Sequence, residues 1–205
     1  MTTAGRKGKG KMTDVTGQPT LTDRFDAALA YASRVHRAQV RKGSGIPYVS
    51  HLLGVASLAL ELGADEDQAI AALPHDAVED QGGAERLADI RARFGDRVAE
   101  IVAHCTDTDA EPKPPWRARK EAYVAGLAEK PPHSLLVSLA DKLHNAGAIL
   151  TDLTAHGPSV WDRFTGGRDG SLWYYKALTD AFETRLPGPA ADRPAKLVRD
   201  MHVQA

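Results

Sequence analysis

The sequence has one cysteine, no long apolar run and almost no net charge, and each shortage excludes a class of protein. Cys105 cannot form an internal disulfide, which excludes a disulfide-stapled secreted domain and predicts a cytoplasmic location. The longest apolar stretch, "LLGVASLAL" at 52–60, is too short to cross a bilayer, so no membrane association is expected. A formal net charge of −1 lacks the basic excess of nucleic-acid-binding proteins, so no nucleic-acid partner is expected.

The composition that remains is that of a single globular domain with a tail at each end. The chain has 205 residues, of which 42% are hydrophobic, and this is enough for a substantial core. We predict a disordered basic tail over 1–20, a folded domain over 21–185 and a proline-rich tail over 186–205 that is loose or only lightly docked. The basic start lacks the apolar core of a secretion signal. Cys105 is expected to be a small buried hydrophobe.

Apolar residues recur at helical spacing through the middle of the chain, and no segment alternates as a strand does. Asp65 and Gln68 form a predicted capping box for a helix over 66–80. Gly95 is expected to end one helix, and Ser171 to cap another. The sequence therefore predicts an all-α domain.

Two longer features complete this prediction. Leucines at helical spacing from Leu136 to Leu153 indicate a long helix that ends near Gly157. The prolines of "DTDAEPKPPW", residues 107–116, forbid a helix there. We expect this stretch to be an exposed loop that borders the functional site.

The stretch "AALPHDAVEDQGG", residues 71–83, concentrates groups that bind metals or move protons. In a continuous helix His75 would stack over Glu79, and Asp76 over Asp80, so all four would point into one sector. Carboxylates at a helix C-terminus oppose the macrodipole, which favours a functional interpretation. The alternative is an exposed acidic helix end that carries a histidine by chance.

Two other stretches strengthen the functional interpretation. Asp141 and Asn145 lie one turn apart on a leucine-rich helix, and a buried carboxylate is unfavourable unless it is paired or metal-bound. The stretch "RKGSGIPYVSH" brings Arg41 and Lys42 close to His51, and basic groups beside a metal ligand suit a phosphorylated substrate. Two imidazoles and two carboxylates form a nitrogen and oxygen ligand set suited to Mn²⁺, Fe²⁺ or Zn²⁺.

The order of these groups, H…HD…D, resembles the HD-domain metal-dependent phosphohydrolases. The segments "RKGSGIPYVSHLLGVA", "HDAVED", "RFGDRVAEIVAHCTD" and "SLADKLHNA" are similar to the hydrolase domain of the RelA/SpoT family. Because the chain leaves no room for a synthetase domain, it resembles the single-domain small alarmone hydrolases, from about Arg24 to Phe182. The resemblance implies an all-α helical bundle of about eight to ten helices.

The resemblance also implies an activity, Mn²⁺-dependent hydrolysis of the 3′-pyrophosphate of (p)ppGpp, with Fe²⁺ or Zn²⁺ as other candidate ions. It is compatible with a homo-oligomer. Each site residue has an implied role: metal ligands His51, His75, Asp76 and Asp141; catalytic acids Glu79 and Asp80; nucleotide-binding residues Arg41 (against the guanine), Lys42 and Asn145.

Two residues depart from the family pattern and leave alternatives open. Pro74 would remove a backbone hydrogen bond from a continuous helix, at about 3 kcal/mol, and could re-aim His75. Gly147 replaces a usual basic residue and disfavours the helix by about 1 kcal/mol relative to alanine. One alternative keeps the site but changes the substrate to (p)ppApp or NADPH. Another is a ppGpp-binding regulator whose centre Pro74 has disabled.

Several other side chains are given structural interpretations. His36 is a rival metal ligand by position, but we assign it a structural role. His144 is expected to make a satisfied polar contact. Tyr48 is expected to pack beneath the turn that precedes His51. The three aromatic residues at 173–175 are interpreted as core or subunit contacts.

Overall fold

The computed structural model describes residues 20–108, 112–186 and 189–204. The predicted basic tail, except Thr20, lies outside the described residues, as do residues 109–111 of the predicted loop. Ten α-helices occupy the described part of the chain, with a 3₁₀ helix between the eighth and ninth. Their bounds are α1 Asp23–Val35, α2 Val49–Glu61, α3 Glu66–Ala72, α4 Ala77–Asp80, α5 Gly83–Phe94, α6 Asp96–Cys105, α7 Trp116–Gly126, α8 Pro132–His156, 3₁₀ Gly157–Arg163, α9 Gly167–Arg185 and α10 Pro189–Gln204.

The all-α prediction is confirmed. Within the ranges that the structure describes, the only β-type pairing is an isolated bridge between Val40 and Pro47. That bridge closes the turn between α1 and α2, which contains Arg41 and Lys42. No helix in these ranges is both long and apolar enough to cross a membrane.

Local signals in the sequence account for several helix ends. The Asp65 side chain accepts from the Gln68 backbone N–H while the Gln68 side chain accepts from the Asp65 N–H, so the predicted capping box is present. Gly95 ends α5 with a φ of 97°, a conformation that favours glycine. The long predicted helix is α8, and it ends before Gly157 as expected.

Two predicted helix boundaries are wrong. The helix expected over 66–80 is two helices, because α3 ends at Ala72 and α4 begins at Ala77. Pro74 lies in the break, where its missing N–H and its ring do not disrupt an intact helix. Ser171 does not cap a helix: α9 begins earlier, at Gly167, and Ser171 is buried within it.

Helix α8 is the centre of the fold. It packs against α2, α3 and α6 and also against α9 and α10. Apolar side chains along its length take part in three hydrophobic clusters, with Val137 and Ala140 in the first, Leu135 and Leu139 in the second, and Leu153 in the third. Asp141 lies in the packed middle of this helix and is held deep in the molecule, with 3% exposure.

The expected loose attachment of the C-terminal tail is wrong for residues 189–204, which form α10 against α8 and α9. The prolines misled the sequence interpretation, because Pro189 occupies the first helical position, where proline is tolerated. Pro194 lies inside the helix, where it removes one backbone hydrogen bond. Burial of Val198 and Met201, three residues apart, offsets that loss.

The docking of α10 generates a stability prediction. Met201 is fully buried, so Met201→Ala should lower the free energy of unfolding by about 2–5 kcal/mol, through lost contacts and a cavity. Val203, on the same helix, is 85% exposed, and Val203→Ala should change stability by less than about 0.5 kcal/mol. Urea denaturation of both variants measures the difference. Equal stabilities would show that α10 does not pack as described.

Candidate functional site

Side chains from three parts of the chain converge against α8. His51 comes from α2, His75 from the break between α3 and α4, and Asp141 from the middle of α8. One ligand atom from each of these residues lies within 4.8 Å of the others, and all three residues are buried. The structure thus brings together two imidazoles and a carboxylate that are 24, 66 and 90 positions apart in sequence.

Asp76 lies beside this group. Its Oδ2 is 3.0 Å from His75 Nε2 and 3.4 Å from His51 Nε2. The Tyr48 hydroxyl donates to the same oxygen at 2.5 Å, so Tyr48 holds a carboxylate in addition to packing beneath the turn. Burial alone would raise the pKa of Asp76, but the His75 and His51 imidazoles outweigh it and hold that pKa well below its usual range. Asp76 is therefore an ionised carboxylate that faces both imidazoles.

The helix break at Pro74 orients His75. The Ala72 carbonyl, at the end of α3, accepts a hydrogen bond from His75 Nδ1 at 2.8 Å. A backbone carbonyl is only an acceptor, so Nδ1 carries the proton. His75 Nε2 then points towards the two carboxylates and has no hydrogen-bond partner among the described residues. Pro74 therefore does not turn His75 away from the cluster.

This arrangement needs a positive charge between the imidazoles and the carboxylates. A neutral His75 would direct its Nε2 lone pair at Asp76 Oδ2, 3.0 Å away, and Asp141 Oδ1, 3.6 Å away. Although burial lowers the pKa of His75, these carboxylates raise it well above its usual value overall. A divalent cation would supply the same positive charge, and neutral imidazole and ionised carboxylate are its usual ligands. The cluster therefore fits a metal ion.

Asp141 is fixed by its own helix. Lys142 Nζ donates to Asp141 Oδ2 at 2.6 Å, and Asn145 Nδ2 donates to Oδ1 at 2.5 Å. Burial would raise the pKa of Asp141, but Lys142 and the two imidazoles lower it well below its usual range. These donors offset the unfavourable burial of the charge and leave Oδ1 directed at both histidines.

The predicted nucleotide-binding residues lie next to the metal-binding group. Arg41 Nη2 donates to Asn145 Oδ1 at 2.9 Å, and Asn145 in turn donates to Asp141. Lys42 is exposed, one residue along the same turn. A chain of hydrogen bonds thus connects the turn before α2 with the candidate metal ligand on α8.

Two adjoining clefts open at this turn. The first has a volume of about 840 Å³ and the second about 750 Å³, each counting the solvent at its mouth. Both are lined by Lys42, Asn145, Ile149, Arg163, Phe164 and Tyr175. Together the two clefts are lined by one acidic side chain, Asp152, and by five basic ones: Arg41, Lys42, Lys120, Lys142 and Arg163. The clefts therefore suit an anionic ligand with apolar parts.

The predicted catalytic acids lie in different environments on α4. Glu79 Oε1 accepts from Lys113 Nζ at 3.0 Å and is 3.9 Å from Arg119 Nη1. Asp80 Oδ2 accepts from Gln39 Nε2 at 2.8 Å. Partial burial of its carboxylate, together with the charges of Asp76 and Glu79, raises the pKa of Asp80. Lys113 belongs to the predicted loop, which therefore borders the predicted catalytic acids.

The remaining histidines near the site make supporting contacts. His36 is buried, hydrogen-bonds to Gln39 and stacks on the Tyr48 ring, which agrees with the structural role assigned to it. His144 makes the predicted polar contact: its Nδ1 lies 3.0 Å from His51 Nδ1. Burial, with the nearby His51 and Arg41, lowers the pKa of His144 to about 4.

Sequence reasoning missed several lining residues. Lys142 follows Asp141 directly, but nothing in the sequence indicated that it pairs with its neighbour. Arg163 and Phe164 belong to the stretch "WDRFTGG", residues 161–167, which contains none of the predicted site residues. Tyr175 lines both clefts, whereas Tyr174 lines only the second and is buried in the second hydrophobic cluster, as predicted for a core residue. The sequence pattern around 173–175 did not indicate that these two tyrosines have different surroundings.

Comparison with known protein families identifies the fold that carries this site. The HD domain matches residues 28–172, which is most of the chain and includes every candidate metal ligand. The chain belongs to the HD-domain family. Within that range the histidine and aspartate side chains described above form the cluster that can hold a metal ion.

Individual relatives of this chain have names that specify an activity. Over 125 residues the chain is 40% identical to a GTP pyrophosphokinase of Streptomyces coelicolor, covering 59% of this chain but only 14% of that protein. It is 35% identical over 144 residues to the guanosine-3′,5′-bis(diphosphate) 3′-pyrophosphohydrolase MESH1 of Xenopus tropicalis, covering 66% of this chain and 75% of that protein. The chain thus spans about a seventh of the first relative and most of the second.

A solved structure shows the same fold. It is that of a metazoan ortholog of SpoT, described as hydrolysing ppGpp and playing a role in starvation responses. The two structures superpose with a TM-score of 0.72 at 29% sequence identity, over 88% of this chain and 96% of the other. Nearly the whole of that solved chain therefore has its counterpart in this protein.

Metal binding should stabilise this fold measurably. A divalent ion at a hundred times its dissociation constant should add about 2.7 kcal/mol of stability, which is a rise in Tm of roughly 5–10 °C. Thermal unfolding of metal-stripped protein with and without added Mn²⁺ measures this rise. Asp141→Asn should remove most of this rise in Tm. The control Asp169→Asn changes a side chain that is 92% exposed and should leave the rise unchanged. A full rise in Asp141→Asn would place the ion elsewhere.

Proposed function

We propose that this protein hydrolyses the 3′-pyrophosphate of (p)ppGpp, releasing GDP or GTP and pyrophosphate. The observation that carries the proposal is the cluster of two imidazoles and two carboxylates beside clefts lined by basic side chains. The substrate class, a guanosine 3′,5′-bis(diphosphate), is inferred from membership in the HD-domain family and from the 35% identity to MESH1 over most of that relative. The activity would lower the level of the alarmone.

The proposed cofactor is Mn²⁺, with Fe²⁺ or Zn²⁺ as other candidates for a nitrogen and oxygen ligand set. Its proposed ligands are His51, His75, Asp76 and Asp141. Such an ion, when bound, lowers the pKa of a water molecule and offsets charge that develops on phosphate oxygens.

Asp80 is the proposed proton acceptor for the attacking water. Its raised pKa brings it nearer to the working pH and makes it a stronger base than an ordinary aspartate. Glu79 is held by Lys113 and lies close to Arg119, which suits a role in orienting the water rather than in taking its proton. We therefore assign the two acids different parts of one step.

Hydrolysis would transfer the pyrophosphate from the 3′-oxygen to water. The oxygen of water forms a bond to the phosphorus that is attached to the 3′-oxygen, and its proton passes to Asp80. The bond between that phosphorus and the 3′-oxygen breaks, the electron pair stays on the 3′-oxygen, and this oxygen takes up a proton. Lys42 and Arg163, which line both clefts, would offset the negative charge of the phosphates. Arg41 and Asn145 would hold the nucleoside beside the cluster.

The proposal includes a small-molecule nucleotide as partner and the cytoplasm as location. A single buried cysteine suits a reducing compartment, and its burial raises the pKa of the Cys105 thiol, which disfavours reactivity. The net charge of −1 continues to argue against nucleic acid as a partner. Assembly into a homo-oligomer is compatible with this function.

The first test is direct. Metal-stripped protein incubated with ppGpp should release GDP and pyrophosphate only after Mn²⁺ is added, and Asp76→Ala should abolish the release because it removes a proposed ligand. Asp169→Ala, an exposed acid changed in the same way, serves as the control. Chromatography of the nucleotides and a pyrophosphate assay follow both products. Binding of ppGpp without turnover would instead favour the regulator, and faster turnover of (p)ppApp or NADPH in competition would change the substrate.

A second test concerns the proton acceptor. Asp80→Asn should lower kcat by about 10²–10⁴-fold, the usual contribution of a general base, while Mn²⁺ affinity changes little. Because only the ionised carboxylate accepts a proton, activity should fall as the pH drops through a pKa above the ordinary value of about 3.9. This acid limb should be missing from the residual activity of Asp80→Asn. An unchanged kcat would exclude Asp80 as the base.

A further inference from the structure

One side chain beyond the proposed ligands reaches a ligand directly. His144 Nδ1 lies 3.0 Å from His51 Nδ1, and the ring centroids are 4.8 Å apart. His144 follows Asp141 by three positions on α8, so the two share one face of that helix. Helix α8 therefore contacts the cluster twice, once through a proposed ligand and once through a side chain that meets another ligand.

The contact specifies where the protons lie. His51 Nε2 faces Asp76 Oδ2 at 3.4 Å and Asp141 Oδ1 at 3.3 Å, so it is the nitrogen that can offer a lone pair to an ion. A neutral imidazole with a free Nε2 carries its proton on Nδ1. That proton has to be donated to His144 Nδ1, which must be unprotonated. For His75 a backbone carbonyl plays the same part, but for His51 it is a side chain that substitution can remove.

Gly54 makes room for this side chain. It lies three positions after His51 in α2, on the face that meets α8. A Cβ atom at Gly54 would lie 2.2 Å from both Cδ2 and Nε2 of His144, closer than side chains approach. Glycine is unfavourable inside a helix, so its presence here has a packing reason. Any larger residue at position 54 would have to displace the imidazole.

We propose that His144, seated against Gly54, is a positioning residue that holds His51 in the tautomer and orientation needed to bind the metal ion. The inference rests on the metal site of the proposed function and adds to it a residue outside the ligand set. Partners that accept the second ring proton of a ligating histidine typically contribute 10–100-fold to metal affinity.

The test measures metal binding without substrate. Co²⁺ titrated into metal-stripped protein is followed by its visible absorption, which reports the ligands around the ion. His144→Leu removes the acceptor, and its affinity for Co²⁺ should fall about 10–100-fold. His144→Asn places an amide oxygen close to the position of Nδ1, so it should recover most of the affinity. Circular dichroism and cooperative unfolding confirm that each variant is folded.

A second pair of variants tests whether His144 needs the space that Gly54 leaves. Gly54→Ala should weaken Co²⁺ binding in the same range although alanine favours the helix, because it displaces His144. Gly147→Ala is the matched control: Gly147 is also helical, on α8, and a Cβ there would meet no atom within 4 Å. Its Co²⁺ affinity should equal that of the unchanged protein.

Three results would overturn the inference. The first is an unchanged Co²⁺ affinity in His144→Leu. The second is equal weakening in His144→Leu and His144→Asn, which would show that His144 acts by packing and not as a hydrogen-bond acceptor. The third is no Co²⁺ binding by the unchanged protein, which would remove the metal site as well. The expected order of affinities together with no hydrolysis of ppGpp would leave the role of His144 in place and refute only the proposed substrate.

Discussion

The structure depends on one constraint, the burial of the Asp141 carboxylate in the central helix. A charge at that depth is unfavourable unless partners surround it, and α8 alone supplies only Lys142 and Asn145. The other partners come from α2 and from the break between α3 and α4, so these segments have to meet α8 at this point. The same requirement that closes the core therefore assembles the candidate metal site.

A feature was predictable from the sequence when the residues that cause it are close together in the chain. Helix ends with local causes, such as the Asp65 capping box and the stop at Gly95, were predicted because their partners are neighbours in sequence. The candidate ligands were predicted from residue type and order. The contacts of Tyr48 with Asp76 and of His144 with His51 join residues 28 and 93 positions apart and leave no periodic signal. The docking of α10 was missed because burial of Met201 outweighs the prolines.

Charge is distributed unevenly in this protein, although its sum is close to zero. Several basic residues that line the clefts are already paired with an acid: Lys142 with Asp141, Lys120 with Asp107 and Arg163 with Asp152. These pairs hold long side chains in defined positions, and Arg41 and Lys42 add basic groups that have no acidic ion-pair partner among the described residues. A nearly neutral chain can therefore present a concave surface that attracts anions, which net charge alone does not indicate.

Pro74 has a consequence that concerns the unfolded chain as much as the folded one. Its ring fixes one backbone dihedral before folding begins, so the short segment that carries His75 and Asp76 has fewer conformations to lose when it becomes ordered. The Ala72 carbonyl then orients the imidazole without requiring a further side chain. A residue that would break a longer helix thus reduces the entropy lost in forming the turn between two shorter ones.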